Sequence, residues 1–312
     1  MRRRVLRSSI ALALLASALL AANALGARSG GAKQIAPAGS GRGFFRSHCA
    51  YSHTATDDPI LMPGMPGMSM VHEFFGNVTT SAASTATSLL AAGKTSCAAP
   101  GDTSAYWVPA LYQHGTRVAP IAMSIYYRTA GRDPSSIQAL PRGLEMIAGD
   151  ETATSPQSTS VAYWNCGANA GVARSASPPA ACPKGSGLVL SLVFPDCWDG
   201  HTLNGQTQRN VAYAVRRRCP AGYPVAIPQL SVHVRYPIAV GGGLTLSMGP
   251  TANDMPNSIY TAHADVIDAW TPSVLASLVE ECDVGEKLCG TVGAGNAPLG
   301  VTAAEIARDR AR

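Results

Sequence analysis

Met62, Met65, Met68, Met70 and His72 fall within the stretch "LMPGMPGMSMVHEFF", Leu61 to Phe75, punctuated by Pro63, Gly64, Pro66 and Gly67. Thioether sulfur prefers Cu(I), and an imidazole nearby would complete a copper-handling donor set. The competing reading is that methionine fills irregular gaps or rides on an exposed loop. Far downstream, His263 and Asp265 stand two residues apart. On an extended segment both side chains share a face, and an imidazole beside a carboxyl group tunes its pKa or carries its proton.

The elements that must position these groups read as β-structure. Gly (31) and Pro (22) supply frequent turns, and only 14% of residues are charged. "GLVLSLVF" (Gly187 to Phe194) is apolar on both faces, as a central strand is. "QLSVHVRY" (Gln229 to Tyr236) alternates, which turns Leu230, Val232, Val234 and Tyr236 one way and Ser231, His233 and Arg235 to the solvent side. "RVAPIAMSIYYR" (Arg117 to Arg128) is a third strand whose start Pro120 pushes to an edge or bulge. Helix is scarce. One runs from about Ser84 to Ala92 and stops at Gly93; another follows Thr271, with Thr271 as cap and Pro272 in its first turn. The expected fold is mainly β: a single antiparallel β-sandwich, jelly-roll-like and stapled by disulfides, with few short helices and long loops.

Arg2, Arg3, Arg4 and Arg7, followed by an apolar run from Ile10 to Leu25 and small residues at Ala22 and Ala24, read as a cleaved export signal. The expected organisation is a signal peptide over 1–26, a flexible linker over 27–43, one β-rich domain over 44–290 and a loose tail over 291–312. Removing the four leader arginines takes the formal charge from +5 to about +1. Nucleic acid is therefore not an expected partner, and no later stretch is apolar and long enough to span a bilayer. All eight cysteines, at 49, 97, 166, 182, 197, 219, 282 and 289, follow the leader. An even count in an exported chain favours disulfides, and of the possible pairings the neighbours Cys166 with Cys182 and Cys282 with Cys289 are the simplest. The expected location is extracellular or cell-wall associated, and the expected state a monomer.

"DDPI" (Asp57 to Ile60), "VHEFFGN" (Val71 to Asn77), "GDTSAYWVPALY" (Gly101 to Tyr112), "AGD" (Ala148 to Asp150), "FPDCWDG" (Phe194 to Gly200) and "HADVIDAW" (His263 to Trp270) occur in that order. Together, over roughly Cys49 to Cys282, they resemble the secreted family catalogued as domain of unknown function 1996. The label names no reaction. Some fungal members carry modules associated with wall polysaccharide, which implies carbohydrate as the ligand class. The family usually has histidines where this chain has Met70 and Tyr223, and two more in the stretch here written "QTQRNVAY". It keeps the P-G-x-P-G framework without the methionines, which implies that these are local fill.

Within the motifs, a site would draw on Asp58, His72, Asp199, His263 and Asp265. Sugar hydrolysis needs one carboxyl group kept protonated and a second kept ionised, and Asp199 with Asp265 is the first pair to consider, His72 and His263 assisting. Each has a plainer reading. Asp199 before Gly200 and Asp58 before Pro59 are typical turn formers, His72 suits a buried histidine bonded to a carbonyl, and His263 with Asp265 suits a hydrogen-bonded corner. Glu73 and Glu145 read as surface residues. Trp107, Tyr112 and Trp198 are the aromatic residues expected to meet a saccharide, and Trp270 the one expected in the core.

The expected function is action on, or binding to, extracellular or cell-wall polysaccharide, as a glycoside hydrolase or lyase with an Asp/His site. The alternatives are a non-catalytic wall-polysaccharide binder and a copper-handling protein acting through the methionine loop. No cofactor is implied and no metal ligands are assigned. G-x-S-x-G, H-E-x-x-H, P-loop and dinucleotide fingerprints do not occur, so esterase by that route, zinc protease, kinase and dehydrogenase readings have no support. One sequon, Asn77-Val78-Thr79, is present.

Overall fold

The computed structural model describes residues 42–167, 170–251 and 257–293. The expected leader, most of the linker and the tail beyond 293 lie outside the described residues. In chain order the strands are β1 (Phe44–Ala55), β2 (His72–Gly76), β3 (Ala105–Pro109), β4 (Leu111–Gln113), β5 (Thr116–Arg117), β6 (Ala122–Arg128), β7 (Glu145–Gly149), β8 (Ala162–Asn165), β9 (Val189–Val193), β10 (Cys197–Trp198), β11 (Val211–Ala212), β12 (Val225–Ala226), β13 (Gln229–Arg235), β14 (Leu244–Leu246), β15 (His263–Ile267) and β16 (Leu288–Thr291). Among the described residues two α-helices, α1 (Ala86–Ala92) and α2 (Pro272–Leu278), accompany them.

The long strand β1 organises the sheet. Its first half pairs with β6, from Phe44 opposite Arg128 to Ala50 opposite Ala122. Its second half pairs with β2, from Tyr51 opposite Phe75 to Ala55 opposite His72. The register shifts between Tyr51 and His53, where the strand changes partner. One continuous ten-stranded sheet results, in the order β7-β15-β3-β2-β1-β6-β13-β9-β8, with β16 alongside β1. All its pairs are antiparallel except β1 with β16.

Period-two alternation turns one face of both halves inward. Met123, Ile125, Leu190, Val232 and Val234 from one half meet Phe75, Tyr106, Val108, Met146 and Val266 from the other in a single core. Strand β7 also lies against β9. The expected sandwich is thus corrected to a sheet rolled nearly into a barrel, because β1 bends at its bulge instead of ending there. Two three-stranded sheets, β11-β10-β12 and β14-β4-β5, stand apart from it.

The half containing β2, β3 and β15 is buried on its outer face too, which is why all five residues of each of these strands are buried. A second apolar cluster forms there from Ile60, Phe74, Leu89, Leu90, Ala105, Trp107, Ile147, Ile267 and Ala269. Helix α1 delivers Leu89 and Leu90 to it. Thr85 and Ser88 form its capping box, and Gly93, with φ 61°, ends it in the left-handed conformation that glycine adopts without cost. Helix α2 starts at Pro272 as expected, but the Thr271 side chain makes no capping hydrogen bond; its hydroxyl is buried.

Four disulfides staple the domain: Cys49–Cys97, Cys166–Cys182, Cys197–Cys219 and Cys282–Cys289. The two neighbour pairings read from the sequence are among them. Strand β16 reaches Thr291, and Val292 is buried. Among the described residues no helix is long and apolar enough to cross a membrane.

Candidate functional site

On the outer face of the second half-sheet, alternation places His72 and Phe74 of β2, Trp107 of β3, and His263, Asp265 and Ile267 of β15 side by side. The register sets His72 opposite Pro109, Phe74 opposite Trp107, and Trp107 opposite Asp265. The segment after β1 crosses this face and is pinned by two adjacent acids. Asp58 Oδ1 accepts the main-chain N–H groups of Ile60 and Leu61 at 2.9 Å each. Asp57 accepts from Gly67 N at 3.0 Å and Ala82 N at 3.1 Å. The "DDPI" motif is therefore the clamp of the methionine loop, and its residues Asp57 to Ile60 roof the site.

Under that roof, one ligand-capable atom from each of His72, His263 and Asp265 lies within 4.8 Å of the others, and all three residues are at most 1% exposed. His72 Nδ1 sits 3.0 Å from Asp57 O, and His263 Nδ1 sits 2.8 Å from Thr261 O. A carbonyl only accepts, so each Nδ1 carries the hydrogen and each Nε2 carries the lone pair. These Nε2 atoms are 3.4 Å apart. His263 Nε2 is also 3.7 Å from Asp265 Oδ2, and neither Asp265 oxygen accepts a hydrogen bond from any of the described residues. The indole Nε1 of Trp107 is likewise buried without a partner.

The electrostatics follow from this enclosure. Burial pulls both imidazoles down to about 4, and for His263 the neighbouring His72 adds to the effect. Burial, reinforced by Asp58 and then Glu151, pushes the Asp265 carboxyl far above its ordinary range. Burial thus disfavours the charged form of both partners in the His263–Asp265 contact. Asp58 is also raised by burial, partly offset by the Leu61 and Ile60 N–H groups and by His263. Glu151 and Glu145 are raised too, by burial first and by Asp58 among the causes. Asp265 and Asp58 thus face two imidazoles whose Nε2 atoms carry lone pairs.

The structure thus brings together four of the five expected acid, base and imidazole residues: Asp58, His72, His263 and Asp265. Asp199 stands apart. It follows β10 in a small sheet, accepts the N–H groups of His201 (2.9 Å) and Thr202 (2.8 Å), and lines a different cavity with Arg132, Arg216 and Arg217. Desolvation opposes its ionisation, but the two N–H bonds outweigh it and hold the carboxyl below its ordinary value. This is the turn-forming role that its place before Gly200 suggested.

Other expectations are corrected. Glu73 does not face solvent: its side chain is fully buried and accepts from Arg117 Nη1 at 2.8 Å and Thr54 Oγ1 at 2.6 Å, because β2 turns it inward. Glu145 is half-buried and accepts from Gly205 N at 2.9 Å. Trp107 and Tyr112 are buried and cannot serve as open stacking platforms, while Trp198 is half-buried and donates to Thr202 O at 2.7 Å. Trp270 is in the core as expected, donating to Tyr127 Oη at 2.9 Å. Met62, Met65 and Met68 are exposed, so they are loop surface and not fill. The sequon residue Asn77 is fully buried, its amide donating to Leu89 O and Thr103 O.

The profile of the family described as Domain of unknown function (DUF1996) matches residues 58–270. This chain belongs to that family. The match begins at Asp58, on the loop clamp, and its last residues run just past His263 and Asp265, so the whole cluster lies within the family region. No curated protein and no solved structure matches the chain.

Proposed function

We propose that this family member works in the extracellular or cell-wall space as a metalloprotein, with His72, His263 and Asp265 as the ligands of one divalent transition-metal ion. The observation that carries the reading is the convergence of two Nε2 lone pairs, 3.4 Å apart, on a carboxyl group without a hydrogen-bond donor. Two nitrogens bound to one tetrahedral Zn²⁺ lie about 3.3 Å from each other, so the rings already stand at ligand separation. Each ring is oriented through its Nδ1–H by a main-chain carbonyl, the second-shell arrangement that fixes a metal-binding tautomer. Three protein ligands leave a further position, and an ion held so supplies a Lewis acid or an activated water. Asp58 contributes its negative charge and the loop clamp that excludes bulk water.

A second reading rests on the unequal environments of two carboxyl groups. Asp265 has no donor and its burial favours the protonated form, whereas Asp58 accepts two N–H bonds. Such a pair supplies an acid and a base for action on polysaccharide, with the imidazoles moving protons. Metal titration decides between the two. Chelator-treated protein is titrated with Zn²⁺ and Co²⁺ by calorimetry in competition with a chromogenic chelator, and the Co²⁺ form is read by its visible absorption. The metal reading expects one ion per chain and an intense tetrahedral Co²⁺ band, both lost in His263→Gln. Absence of a site abolished by that substitution removes it and leaves the acid–base pair.

A further inference from the structure

We propose that the outer face of the β6–β13–β9–β8 half-sheet is a binding groove for an acidic, uronate-bearing glycan chain. The proposal does not use the His72 cluster. An outward sheet face is ordinarily a solvated surface of mixed charge, but this one is a cavity of about 480 Å³ lined by Tyr126, Arg128, Tyr163, Arg174, His233 and Arg235, among others. Residues 171–174 form one wall and bring Arg174 over the Tyr163 ring, with 4.3 Å between the guanidinium carbon and the ring centre. Arg128 lies 4.1 Å over Tyr126, and Arg46 approaches the same ring at 5.4 Å.

Two features make this an anion site and not a charged surface. Among the described residues no acidic residue lines the cavity, and no carboxylate pairs with Arg46, Arg128, Arg174 or Arg235. The guanidinium groups are also held in place. Arg128 and Arg174, stacked on their rings, keep N–H groups free for the two-pronged grip that carboxylates accept, whereas Arg46 spends its N–H groups on Thr291 and Tyr126 and contributes charge alone. Arg46 is further fixed by Tyr126 Oη at 3.0 Å and by Thr291 Oγ1, and Arg128 by Ser231 Oγ at 3.2 Å. The local field is strongly positive: after burial, Arg128, Arg174 and Arg46 are what hold His233 down to about 3.

Shape and the remaining chemistry choose the ligand class. Arg128 pairs in register with Gln229, at the opposite end of β13 from Arg235, so the backbone positions that carry these arginines span about 20 Å along the strands. A chain of anions fits that span better than a single ion. Between the arginines runs a row of hydroxyl and imidazole groups in mutual contact: Ser191 Oγ to His233 Nδ1 at 2.9 Å, Ser231 Oγ to His233 Nε2 at 3.3 Å, and Ser124 Oγ to His48 Nδ1 at 3.1 Å. Such a row exchanges hydrogen bonds with sugar hydroxyls. Single-stranded nucleic acid requires open aromatic faces for its bases, and here guanidinium groups cover the rings.

The test measures affinity of the full disulfide-bonded chain for polygalacturonate, for a neutral β-glucan and for single-stranded DNA, by affinity electrophoresis and by calorimetry across a salt series. The expected result is salt-sensitive binding to polygalacturonate and none to the glucan. Arg174→Gln and Arg128→Gln should each weaken it at least tenfold, and exposed Arg142→Gln outside the groove should not. Arg174 lies on an exposed segment, so its variant keeps the test valid if Arg128→Gln lowers the melting temperature. Unchanged binding in Arg174→Gln, no binding to polygalacturonate, or tighter binding to DNA with the same variant response would each overturn the proposal.

Discussion

His72 and His263, 191 residues apart in the chain, meet with their Nε2 atoms 3.4 Å from each other and their ring planes at 87°. With both Nδ1 atoms donating to carbonyls, the facing nitrogens are both acceptors, an arrangement that repels until a cation lies between them. Metal binding should therefore stabilise the fold. At a free Zn²⁺ concentration one hundred times the dissociation constant the gain is about 2.7 kcal/mol, equivalent to a rise of roughly 5–10 °C in a domain of this size. Scanning calorimetry with Zn²⁺ and with a chelator measures it. His72→Gln and His263→Gln should each erase the difference between the two conditions, and a zinc-dependent rise that survives both substitutions would exclude this ligand set.

The roof over those rings depends on Asp58. Replacing it with Ala leaves the Ile60 and Leu61 N–H groups without their acceptor under a buried surface, which costs about 1–3 kcal/mol. Because the lost bonds lie at the base of the loop, Asp58→Ala should also expose the chain between Met62 and Met68 to protease. Limited proteolysis followed by mass spectrometry locates the cut. A variant that melts lower but is cut no faster in that loop would show that Asp58 does not clamp it.

Two of the disulfides should differ in worth. Cys49–Cys97 closes a loop of 48 residues containing β2, α1 and His72, whereas Cys282–Cys289 closes one of 7. Loop-closure entropy assigns about 4 kcal/mol to the first and about 2 kcal/mol to the second. Paired Cys→Ala variants, compared by urea denaturation, should rank in that order. The first pair should lose metal affinity as well, since its crosslink spans the strand that carries His72.

Much of this was legible in the residues themselves. Alternation in Gln229 to Tyr236 and the Gly93 stop after α1 concern near neighbours, and local sterics decide them. The site residues Asp58, His72, His263 and Asp265 were legible as members of family motifs, but their meeting was not. It depends on β3 separating β2 from β15, a long-range pairing that no local pattern encodes. That Asp199 lies apart from the other four was not legible, because a turn-forming aspartate and an acid catalyst look alike before Gly200. The arginine groove left a trace in the outward positions Arg46, Tyr126, Arg128 and His233. Only the pairing of β1, β6 and β13, with Arg174 folded over Tyr163, turns these single side chains into one surface.

Asp102 should give the fold a measurable pH dependence away from the proposed metal centre. It is fully buried in the main core and accepts from Ser47 Oγ at 2.6 Å and Tyr106 Oη at 3.1 Å. Tyr106 in turn meets Tyr127 at 2.8 Å, which accepts from Trp270. Burial pushes the Asp102 carboxyl up to about 6, the hydroxyl and N–H bonds restraining the rise. In the unfolded chain the group ionises near 3.8. As pH rises from about 4 to about 6 the unfolded state gives up this proton first, so the native state loses relative stability across that window and none above it. The loss is about 3 kcal/mol, from 1.4 kcal/mol per pKa unit. Asn at this position cannot ionise and keeps donor and acceptor atoms for Ser47 and Tyr106. The difference in unfolding free energy, Asp102→Asn minus wild type, should therefore grow by about 2.5 kcal/mol between pH 4 and pH 7 in urea titrations. A difference that stays constant over that range would mean that Asp102 keeps its ordinary acidity inside the core.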